Sequence, residues 1–162
     1  MRGRISGWQR LVSKLVFILY LGVLFYFLFF SERYGRTDVS DEYHYNLVLF
    51  REIKRFYRYR EILGMKSVMI NLAGNVAAFM PFGFFLPVLW PKTGKLLSVA
   101  FWSFSFSLVV ETIQLVYKVG TFDVDDLFLN TLGGIFGYVL MRLLFAWLRA
   151  VRCARRGRRA QG

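Results

Sequence analysis

Residues 96–148 read LLSVAFWSFSFSLVVETIQLVYKVGTFDVDDLFLNTLGGIFGYVLMRLLFAWL, and this stretch decides the fold. Residues 96–117 contain one charge, Glu111, and residues 127–148 contain one, Arg142. An α-helix rises about 1.5 Å per residue, so about 20 apolar residues cross the hydrocarbon core of a bilayer. Both runs are long enough. The short acidic loop between them makes the stretch a transmembrane hairpin.

Working outward, residues 67–90 lie in a run without charge between Lys66 and Lys92. Residues 11–30 follow a basic start, and from Leu15 to Phe30 only Gly22 is neither apolar nor aromatic. That run is too long for a signal-peptide core, and Ser31-Glu32-Arg33-Tyr34 offers no small-residue cleavage site. It reads as a retained anchor. The expectation is an all-α, polytopic membrane protein, one membrane domain over residues 1–162. Its four transmembrane helices span residues 11–30, 67–90, 96–117 and 127–148, and a basic tail covers residues 149–162.

The composition agrees. The chain is 56% hydrophobic and 20% charged, with 18 Phe. Mean hydropathy is +0.42. A soluble domain averages about 45–50% apolar and about 25% charged residues. One Cys and one His exclude a disulfide framework and a Cys/His zinc cage. The net charge of +12 raises the question of nucleic acid. Sorting the charges along the chain answers it. With the N-terminus inside, thirteen basic residues and no acids fall on the inner side, while nine basic residues and all ten acids fall outside. The excess is a positive-inside signal. No nucleic acid is required, and both termini are expected in the cytoplasm. The Arg-rich tail suits anionic lipid on that face.

Residues 46–64 between the first two spans are amphipathic. Leu49, Ile53 and Phe56 recur at helical spacing, and Arg51, Lys54, Arg55 and Arg58 form a basic stripe. This pattern predicts a helix lying in the headgroup region.

Polar groups within the spans carry the functional reading. Asn71 and Asn75 share one helix face, as do Glu111 and Gln114. Asp123, Asp125 and Asp126 open the last helix, and Asn130 follows one turn later. All these groups fall at one height in the outer half of the bilayer. The alternative roles are packing through amide hydrogen bonds and capping by the acids at a helix N-terminus. Glu111 is the most expensive, because a charge within a span costs about 2.5–3.5 kcal/mol on insertion scales. Gly74, Gly133 and Gly137 read as helix-packing glycines. Pro81 and Pro87 predict irregular backbone in the second half of their span.

The pattern Asn71-Leu72-x-x-Asn75, Phe79-Met80-Pro81-Phe82-Gly83, Glu111-x-x-Gln114 and Thr121-Phe122-Asp123-Val124-Asp125-Asp126, then Asn130-Thr131-x-Gly133 and Gly137, resembles the VanZ-like family of small bacterial membrane proteins. Asn46-Leu47-Val48-Leu49-Phe50 is similar to that family's N-L-x-P-F segment, with Leu49 where Pro is usual. The resemblance implies the bacterial plasma membrane and a link to low-level resistance against teicoplanin-type antibiotics. It also marks Pro81 and Gly83 as family-typical.

Three functional classes follow. The leading one is an envelope protein whose outer-face polar cluster binds a lipid, a cell-wall precursor or a lipoglycopeptide. The second is an intramembrane enzyme on a lipid-linked substrate, with Glu111 as acid or base and Asp123, Asp125 and Asp126 as candidate ligands for a hard cation. The third is a structural assembly protein. No cofactor is expected.

Overall fold

The computed structural model describes residues 7–30, 43–59 and 65–160, with side chains except those of residues 52, 56, 65–71 and 155–160. The first-loop residues 31–42, the end of the amphipathic segment at 60–64 and the side chain of Asn71 lie outside the described residues. Each charge-free run is a helix. These are α1 (Gly7–Phe30), α3 (Met65–Leu89), α4 (Leu96–Val116) and α5 (Val124–Ala160). A shorter helix, α2 (Arg51–Arg58), precedes α3. Two residue pairs form a parallel bridge between β1 (Tyr45–Asn46) and β2 (Phe122–Asp123). The fold is all-α, and four of its helices are long and apolar enough to cross a membrane. Leu97, Phe101 and Trp147 are among the exposed apolar side chains on α4 and α5. In hydrocarbon such surfaces carry no penalty, and helices satisfy their own backbone.

The most extensive contact joins α3 to α5. Gly133 sits against the Val76 backbone and Gly137 against the Met80 backbone, so the two helices run parallel. Gly83 meets Gly134 backbone to backbone. A side chain at any of these positions would push the helices apart. Gly74 is different. A Cβ there would meet nothing within 4 Å, so Gly74 is not a packing glycine. Its place is beside a cavity, where no neighbouring helix approaches.

The apolar core runs from Phe17 through Phe82, Leu86 and Leu89 to Val99 and Met141. Phe82 stacks on Phe106 at 4.8 Å between ring centroids. Helix α1 is antiparallel to α3. Phe17 packs on Phe85, while Tyr20, further along α1, hydrogen-bonds Ala78, earlier in α3.

Two expectations are corrected. Helix α3 runs unbroken through Pro81 and Pro87. The Tyr20 hydroxyl donates to the Ala78 carbonyl at 2.8 Å, one residue beyond the Ala77 carbonyl that Pro81 leaves without its helical donor, and so ties that turn to α1. The glycine contacts with α5 hold the same turns in place. The described helix of the amphipathic segment is confined to Arg51–Arg58. Asn46 is extended in the bridge, and Phe50 takes a left-handed φ of 64°, which interrupts any longer helix.

Candidate functional site

Helix α4 ends at Val116, and Lys118 turns the chain with a φ of 55°. The Val119 N–H donates back to the Gln114 carbonyl at 3.0 Å. This tight return brings β2 beside the last turns of α4. The Asp123 N–H then donates to Glu111 Oε2 at 3.2 Å. Glu111, at 3% exposure, thus holds the backbone where α5 begins.

The three aspartates diverge from that point. Asp123 precedes α5 and acts as its N-cap, because its Oδ1 accepts the Asp125 N–H at 2.8 Å. The same oxygen accepts Asn46 Nδ2 at 3.1 Å, which joins the first loop to the third. Asp125 caps a different helix. Its Oδ1 accepts the Phe50 N–H, and its Oδ2 accepts the Ile53 N–H at 3.2 Å, so one carboxylate closes the N-terminus of α2. Asp126 Oδ1 accepts Asn75 Nδ2 from α3. Asp125 and Asp126 also lie in the first turn of α5, where the helix dipole favours negative charge.

Glu111, Asp123, Asp125, Asp126 and Asn75 therefore come together. Two other polar residues serve contacts elsewhere. Gln114 Nε2 donates to the Leu28 carbonyl of α1 at 2.8 Å. Asn130 Nδ2 donates to Ser107 Oγ of α4 at 2.9 Å. Sequence reasoning did not single out Tyr20, Ser103 or Ser107. The signal for the serines was present, since they lie four apart on one face of α4, the face that meets Gly134 and Asn130. Asn46 entered only as part of a motif, and nothing local marks it as the partner of Asp123.

Between α1 and α3, and reaching the start of α5, lies a cleft of about 500 Å³. Val23, Leu24 and Phe27 of α1 and Ala77, Ala78 and Pro81 of α3 form apolar walls. Along α3 the lining extends from Leu72 to Pro81, about 14 Å of helix. At one end stand Asn75, Asp123, Asp125 and Asp126, with Ile53 of α2 beside them. At the other end is Tyr20, bonded to α3. Among the described residues no group of three His, Cys, Asp or Glu side chains could hold a metal ion. Burial pushes the Asp123 carboxyl above its usual range, and the Asp125 carboxylate adds to that rise. The Asp125 N–H, the Asn46 amide and the Arg55 charge oppose it. The arrangement offers hydrogen-bond acceptors at the mouth of a hydrocarbon-lined slot.

Comparison with known proteins matches the family described as VanZ/LLP1 to residues 17–145. Protein VanZ of Enterococcus faecium is 29% identical over 134 residues, covering 83% of this chain and 76% of that protein. No solved structure matches.

Proposed function

From the premise that the chain belongs to the VanZ/LLP1 family, we propose that it is a bacterial envelope protein that binds a single membrane amphiphile in the cleft between α1 and α3. The cleft itself carries this reading. Its lining runs about 14 Å along α3, with apolar walls on the Tyr20 side and polar groups gathered around Asn75. That division matches a molecule with one hydrocarbon chain and one polar head. The charge distribution supports an orientation with the polar end at the outer face of the plasma membrane and both termini in the cytoplasm. There the cleft meets lipids, lipid-linked wall precursors and lipoglycopeptides as they enter the outer leaflet.

On this reading the family link to glycopeptide resistance has a physical basis. Occupancy of the cleft removes the hydrophobic part of the antibiotic from its place of action. Expression in a glycopeptide-sensitive host should lower susceptibility to teicoplanin. Gly74→Leu, which fills open space beside the cleft, should abolish the effect. Unchanged susceptibility with the wild-type chain refutes the resistance role. Full protection by Gly74→Leu refutes the cleft as its origin.

A further inference from the structure

The end of the bundle opposite the acids is built from cations and aromatic rings. There α3 ends at Leu89, a short helical turn at Pro91–Thr93 reverses the chain, and α4 begins at Leu96. Lys92 and Lys95 are exposed on this reversal. The Tyr138 hydroxyl donates to the Gly94 carbonyl at 3.0 Å, which fixes α5 level with it. Arg142 lies one helical turn further along α5, and its Nη1 donates to the Tyr138 hydroxyl oxygen at 3.4 Å. Its guanidinium also rests over the Tyr138 ring, 5.9 Å from the centroid. Arg142 is thus linked through Tyr138 to the Gly94 carbonyl, and Lys95 is the next residue in the chain. The path along α5 from Val124 to Arg142 is about 27 Å. That is close to the hydrocarbon thickness of about 30 Å, so Arg142 and the reversal reach the headgroups together. Exposed Trp90 and Trp147 lie near this level, where interfacial tryptophans belong.

These cations have no carboxylate to meet. Residues 62–110 and 127–162 contain no Asp or Glu. Glu111, Asp123, Asp125 and Asp126 gather at the other end of the bundle. Tyr138 takes a single Arg142 donor and brings no negative charge. A guanidinium offers five N–H donors in a planar fork that matches two phosphate oxygens. On the bilayer side of the cations, Leu96, Leu97 and Val139 are exposed and apolar. The anion that reaches Arg142 along that surface must carry hydrocarbon. We propose that Lys95 and Arg142 form a site for one anionic glycerophospholipid, with its phosphate bridging the two side chains and its acyl chains against the apolar surface beside them. Lys92 adds to the attracting field. None of these residues lines the cleft, so the site is independent of the amphiphile reading above.

The test uses the full chain in phosphatidylcholine nanodiscs, with trace phosphatidylglycerol or phosphatidylcholine carrying a photoreactive diazirine near the top of one acyl chain. The phosphatidylglycerol probe should label peptides spanning residues 90–100 and 138–149 at least about fivefold more than the phosphatidylcholine probe, the factor expected from one basic residue at a membrane surface. Arg142→Gln and Lys95→Gln should each lower phosphatidylglycerol labelling about fivefold. Both side chains are exposed, so both variants keep the fold. Arg159→Gln, in the basic tail, should leave labelling unchanged. Equal labelling by the two probes overturns the proposal, as does wild-type labelling in either Arg142→Gln or Lys95→Gln. Displacement of the probe by inorganic phosphate or by polyglutamate makes the partner a soluble anion and overturns the lipid assignment.

Discussion

Gly137→Ala tests the seam that holds the bundle and shapes one wall of the cleft. An added Cβ at Gly137 would lie 1.9 Å from the Met80 carbonyl oxygen, 2.8 Å from its carbon and 2.9 Å from the Phe84 nitrogen. All three are backbone atoms of α3, so no side chain can rotate away. Ordinary contact begins near 3.4 Å, so the helices must separate locally by about 1.5 Å. A gap of about 0.5–1 Å already forfeits a quarter to a half of a van der Waals contact. The loss would spread to the Gly133–Val76 and Gly83–Gly134 contacts on the same seam. Overpacking costs about 1–3 kcal/mol. Alanine returns about 0.5–1 kcal/mol through helix propensity. The expected net loss is about 2 kcal/mol when the strain falls at the upper end of its range. Gly22→Ala and Gly74→Ala are the controls, since neither Cβ would meet an atom within 4 Å. They should be neutral or stabilising by up to about 1 kcal/mol. Thermal unfolding of the purified chain in detergent, followed by circular dichroism, ranks the three. Gly137→Ala matching wild type, or Gly22→Ala unfolding as early as Gly137→Ala, refutes the reasoning.

The remaining predictions concern the acids. Asp125→Ala removes the cap of α2 and leaves the Phe50 and Ile53 amides without their acceptor, a loss of about 0.5–2 kcal/mol. Hydrogen exchange should accelerate across 50–58 while α3 and α5 keep their protection, and uniform acceleration over the whole chain contradicts the assignment. Asp123 gives a pH signature. Its carboxyl is raised in the folded chain, so its contribution to stability is complete below the ordinary carboxylate value and is lost as pH rises through the raised one. Asp125, Arg55 and Asn46 face it and remain in the variant. Asp123→Asn should therefore match wild type at acidic pH and melt higher at alkaline pH. A Tm difference that is independent of pH, or of opposite sign, removes that account.

The four long apolar helices were legible because hydrocarbon imposes a one-dimensional rule: a run either lacks charge for about 20 residues or it does not. The gathering of Glu111, Asp123 and Asn75 was legible for the same reason, since depth follows from position along a helix. Partner identity was not. Asn46 meets Asp123 across 77 residues of sequence, and nothing near Asn46 announces that pairing. The amphipathic pattern identified α2 but carried it back to Asn46, which pairs with β2 instead. Pro81 predicts a break only while its surroundings are unknown, and the groups that hold its turn, Tyr20 and Gly137, lie on other helices. Gly74 and Gly137 look alike in sequence. They differ in whether a neighbouring helix faces them, which no local pattern records.

The acids also look like one cation site until their hydrogen bonds are assigned. Glu111 fixes the Asp123 amide, Asp125 fixes α2, and Asp126 fixes Asn75. These bonds bind the first loop, the third loop and α3 into one frame. A carboxylate committed to holding backbone amides is poorly placed to exchange ligands, because each exchange would release a helix end. The position of Asp123 in turn depends on Glu111, which accepts the Asp123 N–H. Glu111, the most expensive charge in the sequence, acts as a positioning residue. Its burial makes sense as the anchor of the segment in which Asp123 caps α5 and meets Asn46.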